Sequence, residues 1–471
     1  MTAKTSWVPL ELSPRGPVYL AIADALARDL ERGLLAPGER LPTHRALARL
    51  LGVNVVTITR AYAEAQRRGL VDGEVGRGTF VSRRDARPTS SLPLVPDGER
   101  IDFRFNLPAV DSAVFDVRGL VREIAAEGPA GFDPLRADYL PGGTAPHRAA
   151  GGAWMARAGL EADPERVVVT NGGQHAMCVV LSTLAAPGDT VLTEELTYPG
   201  MKSLASLLHL RTLPVAMDDG GIVPAALETA CRKSNPKALY CMPTLQNPTG
   251  IVWSEERRHD VLEVARRYSL TVIEDDTTGF LLEKRPPPLA ALAPEDVIFL
   301  TSTSKSLGAG LRVGFLHLPE RARRDGTQER LLAVLAAQIW MTPPLMAEIV
   351  RRLVVDGGAD TIVAARRAEI RARRALGDEL LSEFRTATHP ACSFLWLSLP
   401  DHWRSADFVD EARRAGVAVT SAESFVVGRA HAPHAARACI GTPARREDVA
   451  EGLGILRDLA ARSRPVCRSF V

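Results

Sequence analysis

Thr301-Ser302-Thr303-Ser304-Lys305-Ser306-Leu307, followed by Gly310-Leu311-Arg312-Val313-Gly314, is the stretch on which the reading of this chain turns. An apolar run, Val297 to Leu300, delivers a hydroxyl-rich turn that carries one lysine, and a basic loop and second apolar run lead away. A lysine amine becomes a useful nucleophile toward an aldehyde when its surroundings lower its pKa. Hydroxyls at Ser302 and Ser304, with the guanidinium of Arg312, suit a phosphate dianion. The alternative is a surface lysine on a polar turn, and this window alone leaves the two even. Only six lysines occur (4, 202, 233, 237, 284 and 305), so rivals are few. Lys202 is the one worth naming, and it lacks the hydroxyl turn.

Around that turn, β-prone runs alternate with helical ones. Val167-Val168-Val169-Thr170 reads as a strand, with Gly172-Gly173-Gln174-His175-Ala176 opening a helix after it. Thr190-Val191-Leu192, Ala238 to Met242 and Leu270 to Glu274 repeat the theme. Such alternation predicts a mostly parallel sheet with helices on both faces, and ligands beyond the carboxyl ends of its strands. The motifs fall there. Asn171-Gly172-Gly173-Gln174 offers a helix N-terminus to a phosphate. Tyr198 supplies a ring that could stack on a planar cofactor, Asn247 an amide, and Glu274-Asp275-Asp276 a carboxylate at a strand end. Each has a plainer reading: a tight turn, a core tyrosine, a capping aspartate.

The front of the chain differs. Residues 17–33 repeat apolar positions at helical spacing, Thr43 is placed to cap a second helix, Gly52 breaks it, and a third runs from about Asn54 to Arg68. Ile58, Ala61 and Tyr62 read as its core side. Two short β-prone runs around Gly76-Arg77-Gly78 then make a wing. Helix, short glycine turn, helix is the helix-turn-helix pattern. Residues 83–100, rich in proline, serine and charge, read as a linker between this head (15–82) and a body at 101–465.

Composition excludes little but fits. The 471 residues are 46% hydrophobic and 24% charged, an ordinary globular balance. Residues 1–85 hold thirteen basic against nine acidic side chains, a surplus of four that leaves −2 for the rest. A basic head suits a polyanion. Six scattered cysteines without metal-like spacing read as reduced thiols, no apolar stretch approaches membrane length, and a cytoplasmic location is expected.

The passage from Gly38 to Val81 resembles the GntR-type winged helix-turn-helix. That resemblance implies Thr43 and Arg45 at phosphate or base, Asn54, Thr57, Thr59 and Arg60 facing the major groove, and Arg77 at the wing tip. A winged helix used only for protein contact, with Arg45 and Arg60 as solvated charges, is the alternative. Asn247-Pro248-Thr249-Gly250, Glu274-Asp275-Asp276, Ser302 to Lys305 and Arg312-Val313-Gly314, in that order, resemble the fold-type I, class I/II aminotransferases. A GntR head on such a body is the arrangement of the MocR-type transcriptional regulators. The resemblance implies an α/β fold with a smaller C-terminal α+β subdomain, and pyridoxal 5′-phosphate as cofactor.

Carried over by position, Lys305 forms the internal aldimine, Asp275 pairs with the pyridine nitrogen, Asn247 bonds the phenolic oxygen and Tyr198 stacks on the ring. Gly173, Gln174, Ser302 and Arg312 hold the phosphate, and Tyr139 reaches the phosphate of the neighbouring subunit. Arg437 clamps the carboxylate of an effector; the bland alternative for it is a surface charge. No metal is implied. The family usually has a tyrosine after Glu-Asp-Asp, whereas this chain has Thr277, too short for the same contact. The resemblance therefore implies a head-to-tail homodimer on operator DNA with paired half-sites, sensing an amino acid or amine through an external aldimine, with at most residual transaminase activity. A working aminotransferase with a regulatory head, and a sensor of the cofactor itself controlling vitamin B6 genes, stay open.

Overall fold

Thr43 and Asn54 fix the geometry of the head. The Thr43 hydroxyl accepts the Ala46 N–H at 3.2 Å and starts α2 (His44–Leu51), after α1 (Val18–Glu31). Gly52, at φ +65° where a Cβ is disfavoured, ends α2, and the Asn54 side chain accepts the Val56 N–H at 2.9 Å to start α3 (Val55–Arg67). Ile22, Leu26, Leu47, Ile58, Ala61 and Tyr62 close the core, with the Tyr62 hydroxyl donating to the Pro42 carbonyl at 2.8 Å. Antiparallel β1 (Val71–Glu74) and β2 (Gly78–Val81) form the wing, in register from Val71↔Val81 to Glu74↔Gly78.

This computed structural model describes residues 7–9, 17–36, 38–68, 70–74, 78–81, 100–107, 117–127, 140–382, 384, 388–428 and 432–462. The wing tip with Arg77, nearly all of the expected linker, and Tyr139 lie outside the described residues. The chain divides into two units, the smaller mainly Met1–Thr89 and the larger Ser90–Val427 with Ala432–Val471.

In the larger unit β3 (Ile101–Asp102), α4 (Val117–Ala126) and α5 (Ala145–Ala156) come first. Next are β4 (Val167–Thr170), α6 (Gly173–Leu184), β5 (Thr190–Glu194), α7 (Pro199–Leu207) and β6 (Arg211–Val215). A short hairpin, β7 (Met217–Asp218) and β8 (Gly221–Ile222), precedes β9 (Ala238–Cys241), β10 (Thr271–Asp275), β11 (Val297–Ser302) and β12 (Gly314–His317). The main sheet runs β4-β12-β11-β10-β9-β5-β6, parallel except that β12 opposes both neighbours.

Every residue of β4, β5, β9, β10, β11 and β12 is buried, as expected of strands covered on both faces. Alternate side chains take opposite sides. Val167, Val169 and Phe299 pack with Trp154 and Met155 of α5, whereas Val168, Ile298 and Leu300 pack with Ala176, Met177 and Val180 of α6.

The C-terminal part is a smaller α+β layer. β13 (Leu395–Ser398), β15 (Thr420–Ser421) and β16 (Ala435–Ala438) form an antiparallel sheet in the order β13-β16-β15. β14 (Val417–Ala418) pairs in parallel with β3, so the residues that follow the linker enter this layer. Phe103, Phe408, Leu395 and Leu453 share its core.

Candidate functional site

At the carboxyl ends of β4, β9, β10 and β11 a cavity of about 300 Å³ opens. Gly173, Gln174, Tyr198, Asn247, Asp275, Ser302, Lys305, Arg312 and Arg437 all line it, joined by Met177, Met242 and the segment Arg104–Leu107. Residues far apart in sequence thus meet at one place because parallel strands end together.

Lys305 sits in the one-turn helix Thr303–Ser306, whose start is set by the Ser302 hydroxyl accepting the Ser304 N–H at 3.2 Å. Its amine donates to the Asn106 backbone carbonyl. Burial pulls the amine down from 10.5 to about 8, with Arg437 and Arg312 acting in the same direction and Cys439 and Asp275 opposing. An amine so poised is deprotonated far more often near neutral pH than an exposed lysine, and in that form it can add to a carbonyl. Lys202 is also brought to about 8 by burial, but it donates to the Ser424 carbonyl at 2.8 Å and does not line the cavity.

One end of the cavity is built for an oxyanion. α6 points its first turn inward, where helical N–H groups have no partner within the helix. Gly172, at φ +84°, precedes it, and a Cβ there would lie 2.6 Å from the Arg312 guanidinium. Arg312 donates to the Ser304 hydroxyl at 3.3 Å and the Asn171 carbonyl at 3.4 Å. The Gln174 side-chain nitrogen donates to the Gly200 carbonyl at 3.1 Å, while its side-chain oxygen is buried with no partner among the described residues and its backbone N–H lies in the first turn of α6.

At the end of β10 Asp275 accepts from the Tyr240 hydroxyl at 2.7 Å and from the Thr277 hydroxyl and N–H at 2.6 and 3.0 Å. Burial raises its pKa, and those hydrogen bonds oppose the rise. Asp276 turns elsewhere, into a two-pronged pair with Arg285 at 2.7 and 2.8 Å. Thr277, where the resembled family has tyrosine, therefore serves the carboxylate. Tyr240 was not anticipated from sequence; its signal is a hydroxyl in a fully buried strand, which needs a partner.

Arg437, on β16 and only 6% exposed, spans the remaining side. Its guanidinium lies 4.9 Å from the Phe425 ring centre and donates to the Asn247 side-chain oxygen at 2.8 Å and the Arg104 carbonyl at 2.6 Å. That first bond turns the Asn247 amide so that its NH₂ is the end left for another acceptor. The carbonyls of Arg104, Phe105 and Asn106 accept from Arg437, Thr442 and Lys305 respectively. Sequence reasoning passed over this segment, since backbone acceptors leave no mark in residue type.

In the head, Arg45 and Arg60 are exposed and Thr57 is half-buried. Thr43 and Asn54 cap helices, and the exposed Thr59 donates to the Val55 carbonyl at 3.0 Å, with His44 Nδ1 at 3.2 Å. Among the described residues no cluster of histidine, cysteine, aspartate or glutamate is suited to a metal, and no helix is long and apolar enough to cross a membrane.

Comparison with known proteins accounts for both units. The family described as aminotransferase class I and II matches residues 121–453, and that of bacterial regulatory proteins, gntR family, matches 18–81. The chain is 32% identical over 472 residues to the uncharacterized HTH-type transcriptional regulator YdeF of Bacillus subtilis (strain 168), covering 96% of each. It is 28% identical to the HTH-type pyridoxine biosynthesis transcriptional regulator PdxR of Corynebacterium glutamicum, over 70% of this chain and 71% of that one. Among solved structures, an archaeal alanine:glyoxylate aminotransferase superposes with a TM-score of 0.68 at 25% identity, covering 76% of this chain and 90% of its own. LysN, the α-aminoadipate aminotransferase of Thermus thermophilus, gives 0.67 at 28%, covering 76% and 92%. The body is thus a fold-type I, class I/II aminotransferase domain, a family of pyridoxal-phosphate-dependent proteins. With its GntR head, the chain belongs to the MocR-type transcriptional regulators.

Proposed function

We propose that the body binds pyridoxal 5′-phosphate covalently through Lys305 and senses an amino acid or amine beside it, and that the head reports this on operator DNA. The observation that carries the reading is the enclosure, in one cavity, of a lysine with a lowered pKa, an oxyanion cradle at α6 and a buried arginine. The cradle fits the cofactor's phosphate. Gly172 and Gly173 leave room there that a side chain would fill, and Arg312 with Ser302 and Ser304 supplies charge and hydroxyls.

Bound there, the cofactor supplies an aldehyde at which one amine can replace another, and a ring that withdraws electrons. The protein's own groups do the rest. Asp275, held by Tyr240 and Thr277, presents a carboxylate to a ring nitrogen. Asn247 offers its NH₂ to a ring oxygen, and Tyr198 walls one face. Arg437, which already holds the Asn247 oxygen and the Arg104 carbonyl, takes the ligand's carboxylate by its planar fork. Lys305 would hold the cofactor, and its buried amine is a group that could hold or move a proton there.

The head's Thr43, Arg45, Asn54, Thr57, Thr59, Arg60 and Arg77 meet DNA, and a head-to-tail homodimer in the cytoplasm sets two heads on paired half-sites. Tyr139 reaches across that dimer. Similarity to PdxR supports a second reading, in which the cofactor itself is the signal.

The test is Lys305→Ala. Wild-type protein incubated with the vitamer gains a near-visible absorbance band and, after borohydride reduction, the mass of the cofactor; the variant gains neither. A variant that keeps the reduced adduct shows that another lysine carries it. Titrating DNA binding with cofactor alone, then with amino acids, separates the two readings. Turnover with 2-oxoglutarate tests the residual transaminase activity.

A further inference from the structure

We propose that Val55 and Val56 read the 5-methyl groups of thymines in the operator, so that fixed thymines are determinants of each half-site. The inference rests on the head being a DNA reader and names what it reads. Both valines lie in the first turn of α3, the second helix of the helix-turn-helix, whose N-terminal residues meet base edges in the major groove.

The two side chains are 40% and 57% exposed, whereas Ile58, Ala61, Tyr62 and Ala65 further along the helix are essentially buried. The valines are therefore not core. They are not there for helix stability either, because β-branched residues are poor helix formers and bare isopropyl groups gain nothing in water.

The polar groups beside them are largely committed. The Asn54 side-chain oxygen holds the Val56 N–H at 2.9 Å, and the Thr59 hydroxyl donates to the Val55 carbonyl at 3.0 Å. What the first turn turns outward is methyl groups. Arg45 and Arg49 of α2 and Arg60 of α3 are exposed as well, and positive charge on both helices matches a phosphate-lined groove rather than an apolar protein face. In that groove thymine alone presents a methyl group. The sequence held the signal, two adjacent aliphatic residues where a groove-facing turn calls for polar ones.

The test starts with full-length protein selecting duplexes from a pool of random double-stranded oligonucleotides. The best-bound duplex is then remade with uracil for thymine at one position at a time, which removes a methyl group and leaves base pairing intact. The expected result is one or two positions per half-site where uracil weakens binding by about fourfold, the factor equivalent to ~0.8 kcal/mol for one buried carbon. In Val56→Ala the thymine–uracil difference disappears at its position, while the dependence on salt stays that of the wild type. Val56→Thr, which keeps one methyl group, retains part of the difference.

Selected duplexes without a fixed thymine, uracil copies that bind as well as thymine at every position, or full discrimination by both Val55→Ala and Val56→Ala would each overturn the proposal. A protein that selects no duplex at all fails one step earlier, at DNA binding itself, and removes the ground beneath it.

Discussion

The cavity and the reading helix handle charge in opposite ways. In the cavity Lys305, Asp275 and Arg437 are enclosed, and each is held by named partners: Asn106, then Tyr240 and Thr277, then Asn247 and Arg104. In the head Arg45 and Arg60 stand in water on a scaffold fixed by caps at Thr43 and Asn54. The first arrangement fixes geometry before a ligand arrives, and removing one member leaves another buried without its partner. The second leaves the side chains to adapt to a helical polyanion whose attraction is long in range and screened by salt. Substitutions in the two places should therefore fail differently.

The largest difference is expected at Arg437. Replacing it with alanine removes the carboxylate clamp and leaves Asn247 without its donor, and should weaken the response to amino acids by roughly 3 kcal/mol, over a hundredfold. Calorimetric titration of cofactor-loaded protein measures it. A loss below tenfold would place the effector's carboxylate elsewhere and erase the contrast with the head.

Next in size is a stability effect confined to the body. Burial depresses the Lys305 amine to about 8 in the folded, cofactor-free protein, against 10.5 for an unburied lysine. Below pH 8 the fold holds a charged amine at full cost; between 8 and 10.5 the unfolded chain binds the extra proton, so stability rises with pH. Lys305→Met should thus stabilise cofactor-free protein by up to about 3 kcal/mol at pH 7. That gain should shrink through the 8 to 10.5 window and vanish above it. Denaturant curves at several pH values test it, and a gain independent of pH would mean packing, not charge, is responsible.

The smallest effect belongs to the head. Arg60→Ala should leave folding stability within about 0.5 kcal/mol, weaken operator binding roughly tenfold, and lower the salt-dependence slope by about 1 if it contacts one phosphate. An unchanged slope with lost sequence preference would assign Arg60 to a base instead.

What could be read in advance follows from the range over which a pattern acts. Strands buried on both faces announce themselves as apolar runs, and the Lys305 turn, the Gly172-Gly173 helix start and the Gly52 break are legible because each is local. Asp276, next to Asp275, does not line the cavity, and pairs with a partner nine residues on, Arg285. Tyr240 reaches Asp275 only because β9 and β10 lie side by side, with Tyr240 opposite Ile273. The carbonyls of Arg104 to Asn106 belong to no motif at all, and their role depends on a chain crossing more than three hundred residues away from Arg437.

That crossing has a thermodynamic consequence. On the proposed reading, a carboxylate at Arg437 would compete with an acceptor already in place, so what accrues is the margin by which an ionised partner outcompetes a neutral one. A pocket working by exchange follows the abundance of a metabolite up and down and lets go when supply falls, as a gauge must.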